Sequence, residues 1–89
     1  TGKWGLVIIY QLSTGTKRFN ELQRLIPGIT QTMLTRHLRQ LEEDRIISRT
    51  VYAEVPPRVE YSLTEMGEKF RSVLDAVEAW GLEYIETLA

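Results

Sequence analysis

Apolar positions along this chain fall into successive periods, and each period predicts an element. Trp4, Leu6, Val7, Ile8, Ile9, Tyr10 and Leu12 set apolar residues on more than one side of a helix over about 3–13, which predicts burial on several faces. Ser13-Thr14-Gly15 ends it. Phe19, Leu22 and Ile26 then recur at i, i+3 and i+7 with Leu25 beside them, so a short helix over about 19–26 has one apolar face. Pro27-Gly28 stops that helix, because Pro cannot continue the hydrogen-bond ladder and Gly readily takes a positive φ. Thr30 is placed to cap the next helix, predicted over about 30–44, whose apolar stripe is Leu34, Leu38 and Leu41. Two stretches rich in β-branched and aromatic residues follow, predicting strands over about 46–53 and 58–63. Pro56-Pro57 between them cannot donate to a sheet ladder, so it belongs at their connection and stiffens its tip. Thr64 caps a last helix over about 64–88, with Glu65 in its first turn.

These elements spell a helix-turn-helix followed by a β-hairpin wing, in a fold that is α+β and mainly α. Lys17 and Arg18 precede the short helix and are expected in a small strand that makes the two-stranded wing a three-stranded sheet. Opposite the leucines of the second helix, at 100° per residue, lie Thr32, Arg36 and Arg39, flanked by Gln31 and Thr35. Such a face suits a major groove: Arg pairs bidentately with guanine, Gln with adenine, and a Thr methyl meets thymine. Arg58 follows the two prolines at once, so the wing carries a cation on a stiff protrusion. Lys17, Arg18, Gln31, Thr32, Thr35, Arg36, Arg39 and Arg58 are therefore the expected contacts to double-stranded DNA. Arg58 has a competing reading as an ion-pair partner of Glu54 or Glu60, and Arg49 fits either DNA contact or plain surface charge.

In the last helix Met66, Phe70, Val73, Val77, Trp80, Tyr84 and Leu88 recur at spacings of three and four, widened by Leu74, Gly81 and Ile85. That stripe is too long for a chain of 89 residues to cover by itself. Its C-terminal half predicts a homodimer interface of Trp4, Ile8, Val73, Val77, Trp80, Tyr84 and Leu88. A chain this short buries only about 60–65% of its unfolded surface, so a second subunit also helps the core.

Charge alters the picture only through its distribution. The net charge is −1 and the isoelectric point about 5.8, which is unusual for a nucleic-acid binder. Residues 17–58 hold eight basic against five acidic side chains, while the remainder hold three against seven. Folding can therefore gather a basic face. No apolar run approaches the ~18 residues of a membrane span, and no signal-peptide pattern opens the chain; a cytoplasmic protein is expected. There is no Cys, one His, no Gly-rich phosphate loop and no acid cluster with metal-ligand spacing, so neither an enzyme, a metal nor a cofactor is expected. His37, beside the leucine stripe, reads as a packing residue.

Several motifs in order resemble one family. They are Gly2-Lys3-Trp4, Arg18-Phe19-Asn20-Glu21-Leu22, Pro27-Gly28-Ile29, Leu34-Thr35, Leu38-Arg39-Gln40-Leu41-Glu42, Val55-Pro56-Pro57-Arg58-Val59-Glu60-Tyr61 and Leu63-Thr64-Glu65-Met66-Gly67. Together they resemble the HxlR-type winged-helix transcriptional regulators, bacterial and archaeal proteins related to the MarR group. The resemblance implies a DNA-binding regulator of transcription that dimerises through its first and last helices. Members of that group usually carry a Cys upstream of the Gly-Lys-Trp motif, and in some it senses electrophiles or oxidants. The 89 residues contain no Cys, so thiol sensing is assigned to none of them. A small-molecule effector, the operator and the sign of regulation stay open. The competing function is a winged helix used only for protein–protein contact, to which replacement of Arg36 and Arg39 would be irrelevant.

Overall fold

A computed structural model describes residues 2–88. Its elements are α1 (Lys3–Leu12), β1 (Lys17–Arg18), α2 (Phe19–Leu25), α3 (Gln31–Glu43), β2 (Ile47–Tyr52), β3 (Arg58–Leu63) and α4 (Glu65–Leu88). The architecture is the expected one: four helices with a three-stranded antiparallel sheet, ordered β1-β3-β2. Lys17 and Arg18 do form the third strand, paired with Tyr61 and Glu60.

Local chemistry sets the element ends. Glu21 reaches back to accept from the Arg18 backbone N–H at 3.1 Å, which starts α2. Gly28, at φ +86°, turns the chain between α2 and α3. Thr30 Oγ1 accepts from the Met33 N–H at 3.1 Å and caps α3. At the other end of α3, the Arg45 N–H donates to the Glu42 carbonyl and the Ile46 N–H to the Leu41 carbonyl, both at 3.0 Å. This double closure requires a left-handed residue, and Arg45 supplies it at φ 60°, where glycine is commoner.

The core joins Ile8, Ile9 and Leu12 of α1 to Leu22, Ile26 and Ile29, to Leu34, Leu38 and Leu41 of α3, and to Ile47 and Tyr61 of the sheet. All three leucines of the predicted stripe are buried. α1 departs from expectation, because it is not covered on every side: Leu6 and Tyr10 are exposed. The helix has one sheltered face, and no other element among the described residues wraps the rest.

The Leu63–Gly67 motif is the joint between sheet and last helix. Thr64 Oγ1 accepts from the Gly67 N–H at 3.1 Å, capping α4, and its own proton points at the Arg45 and Ile46 carbonyls. The Thr64 N–H donates to the Ile46 carbonyl at 3.0 Å. Gly67 is buried against that same carbonyl, where a β-carbon would overlap the oxygen and press Leu63 Cδ2 at 3.2 Å. Phe70 and Leu74 still pack on the core. Beyond them α4 projects, giving the subunit a length of 55 Å against 28 and 19 Å across.

Candidate nucleic-acid interface

α3 carries the site. With its leucines turned inward, the helical period forces Gln31, Thr32, Arg36 and Arg39 outward, and all four are exposed. They line one open cleft of about 660 Å³ with Thr35, Gln40 and Glu43. Thr35 is half-buried, and its hydroxyl donates to the Gln31 carbonyl at 2.9 Å, so its proton is committed to the helix. What it offers outward is a methyl group and an acceptor lone pair. Glu43, which helical spacing from Arg36 and Arg39 reveals, gives the cleft an acid that the residue-type argument passed over.

Sheet register sorts the remaining basic residues onto two faces. Directly paired residues point to one side of an antiparallel sheet. Lys17, Tyr61 and Arg49 form one cross-strand row, and the burial of Tyr61 identifies that side as the core side. Arg18, Glu60 and Thr50 form the next row on the far side, where Arg58 opposite Tyr52 also lies. The structure thus brings Gln31, Thr32, Thr35, Arg36 and Arg39 together, and it sets Arg18 and Arg58 across the sheet from α3.

Two of the expected cations are already engaged. Lys17 Nζ donates to Thr14 Oγ1 at 3.0 Å and to the Gly15 carbonyl at 3.2 Å, which leaves one N–H and the charge. Arg58 is held more firmly. Its Nε lies 3.3 Å from Glu54 Oε2, its Nη1 lies 3.7 Å from Glu60 Oε2, and its guanidinium sits 4.0 Å from the centroid of the Tyr52 ring. The Nε proton makes no hydrogen bond, so the attraction to Glu54 is ionic rather than directional. Only 30% of the Arg58 side chain is exposed. Both acids were legible as rival partners in the sequence. Tyr52 was not, because the register that sets it opposite Arg58 is a tertiary fact.

The expected dimer residues divide in the same way. Val73, Val77, Trp80, Tyr84 and Leu88 are all at least half exposed in the single subunit. Trp80 and Tyr84 stack on each other with centroids 5.2 Å apart and planes 5° from parallel. Trp4 is half-buried, packed against the core and over Gly28. Ile8 has to be corrected: it is completely buried in its own subunit's core and can touch no partner. Its place on the sheltered face of α1 depends on which side meets α3, a choice that an all-round apolar helix does not reveal.

Comparison with known proteins shows the family and the fold. The HxlR-like helix-turn-helix family model matches residues 1–89. The chain is 52% identical over 84 residues to the HTH-type transcriptional regulator YtcD of Bacillus subtilis, a match spanning 94% of this chain and 67% of that protein. It is 53% identical over 83 residues to an HTH-type transcriptional regulator of Methanothermobacter thermautotrophicus, spanning 93% of this chain and 63% of the relative. The chain thus spans about two thirds of the length of these curated relatives. A crystal structure of a MarR-family transcriptional regulator from Enterococcus faecalis V583 superposes with a TM-score of 0.93 at 42% identity, covering 97% of this chain and 78% of that one.

Proposed function

Because this chain belongs to the HxlR-like helix-turn-helix family of DNA-binding transcriptional regulators, we propose that it works as a homodimer on a pseudo-palindromic operator, read through α3. The observation that carries this reading is the convergence of Gln31, Thr32, Thr35, Arg36 and Arg39 on one outward cleft, backed by three buried leucines. Thr32 and Arg36 read base edges, where Arg pairs bidentately with guanine and the Thr methyl meets thymine. Lys17 and Arg18 contact phosphates and position the subunit without reading sequence. Arg58 joins them from the wing by exchanging its carboxylate partners for a phosphate.

The dimer rests on the uncovered stripe of α4, with Trp4 at its α1 side. In a single subunit, Val73, Val77, Trp80, Tyr84 and Leu88 expose apolar area on a helix that projects beyond its own core. A second copy covers it by a two-fold axis, which sets two α3 helices in successive major grooves roughly 34–36 Å apart. The protein acts by binding rather than by catalysis, in the cytoplasm. No helix among the described residues is long and apolar enough to cross a membrane.

Selection of bound duplexes from a random library, followed by titration at several salt concentrations, tests this reading. The expected enrichment is a two-fold symmetric site whose affinity falls with salt by a slope of about −0.9 per phosphate neutralised. Arg36→Ala costs about 1–3 kcal/mol on the preferred site and relaxes base preference, whereas Lys17→Ala weakens all duplexes alike. Failure of any duplex to enrich would favour a winged helix devoted to protein contacts.

A further inference from the structure

Arg39 borders two depressions. One is the outward cleft of α3. The other is a crease of about 430 Å³ between α3 and the core side of the sheet. Buried Leu38 and Tyr61 form its floor, with Phe19 beside them. Thr35, Arg39 and Glu42 come from α3, and Arg49 comes from β2. Two arginines from different elements thus line one semi-enclosed space. Among the described residues the ion pairs both belong to Arg58, so neither Arg39 nor Arg49 has a carboxylate within pairing distance. Glu42 lines the crease without pairing to either.

We propose that this crease seats one DNA backbone phosphate between Arg39 and Arg49. The proposal rests on the reading of α3 as the DNA-contacting helix, and it divides that helix's arginines by role. Arg36 reads bases, while Arg39 holds the backbone together with Arg49. A planar guanidinium fork matches two phosphate oxygens, and two forks from different elements fix the anion's position as well as its charge. The buried Leu38 and Tyr61 beneath it keep water from one side, which strengthens both attractions. The mutual repulsion of two unpaired cations across the crease falls when an anion lies between them. Arg49 lines this crease and Arg58 does not. Arg49 stands on the sheet face that meets α3, whereas Arg58 stands on the opposite face inside a cage of Tyr52, Glu54 and Glu60. Arg49 is therefore a positioning residue at the root of the wing, and Arg58 serves first to clasp the hairpin.

The test measures dissociation constants of the full chain for a selected operator and for a scrambled duplex across a salt series. Arg49→Ala should weaken both duplexes equally and lower the salt slope by up to about 0.9, the share of one phosphate, which over the decade from 1 to 0.1 M is at most roughly eightfold at 0.1 M. Arg49→Lys should retain most of the affinity, since a point charge still pairs with phosphate. Arg39→Ala combined with Arg49→Ala should lose less than the product of the single losses, because both arginines share one phosphate. Glu42→Gln, which leaves both arginines in place, should tighten both duplexes. Unchanged affinity and slope in Arg49→Ala, with Arg36→Ala still losing base preference, overturns the crease while leaving the reading of α3 intact. Selective loss of the operator alone in Arg49→Ala also overturns it, by making Arg49 a base reader. A silent Arg36→Ala removes the premise and the proposal with it.

Discussion

Replacing Trp80 by Ala should separate the proposed assembly from folding. Trp80 lies on the projecting half of α4 and is 64% exposed in the single subunit. It supports Tyr84 by stacking but contributes nothing to the buried core. An aromatic residue of this size offers about 250 Å² for burial. Its exposed share is then about 160 Å², and full coverage by a partner at about 25 cal/mol per Å² stabilises the dimer by about 4 kcal/mol per subunit. Two-fold symmetry counts each substitution twice, so Trp80→Ala removes up to about 8 kcal/mol per dimer. Coverage of only half that area still leaves about 4 kcal/mol, close to a thousandfold in the dimer dissociation constant. Sedimentation equilibrium over a wide concentration range measures this directly. A duplex carrying one half-site should bind the variant as it binds the original protein, while affinity for the complete palindrome falls because the two halves are no longer read as one unit. An unchanged dimer constant in Trp80→Ala would refute the assignment of this stripe to a second subunit.

Two further substitutions probe the frame that holds the site. Gly67→Ala forces a β-carbon into the Ile46 carbonyl, and overpacking against backbone should destabilise the fold by about 1–3 kcal/mol, lowering Tm by several degrees. An unaltered melting curve would mean that α4 does not press on the Ile46 carbonyl as described. Arg45→Gly should be more stable than Arg45→Ala by about 1 kcal/mol in urea denaturation, since both lose the same charge and only glycine takes φ 60° without penalty. Equal midpoints would contradict a left-handed Arg45.

Much of this molecule was legible in one dimension, because helical and strand periods are local properties. Leu34, Leu38 and Leu41 fixed which way α3 faces, and therefore that Thr32, Arg36 and Arg39 point outward. Pro27-Gly28, Thr30 and Thr64 marked ends and beginnings through capping chemistry that needs only near neighbours. The strand content of the wing and the uncovered length of α4 followed from composition and counting. Three things were decided only in three dimensions. Ile8 belongs to the core because α1 meets α3 on that side, and no period can say which face of a helix apolar all round is sheltered. Gly67 is fixed by the Ile46 carbonyl, a contact between the start of α4 and the connection from α3 to β2 that no local period reveals. The fates of Arg49 and Arg58 turn on strand register. They lie nine positions apart in the chain, yet pairing sets one beside α3 and locks the other over Tyr52 between two acids. Sequence determines which cations are near the wing; register alone determines which of them faces α3, the helix proposed to read DNA.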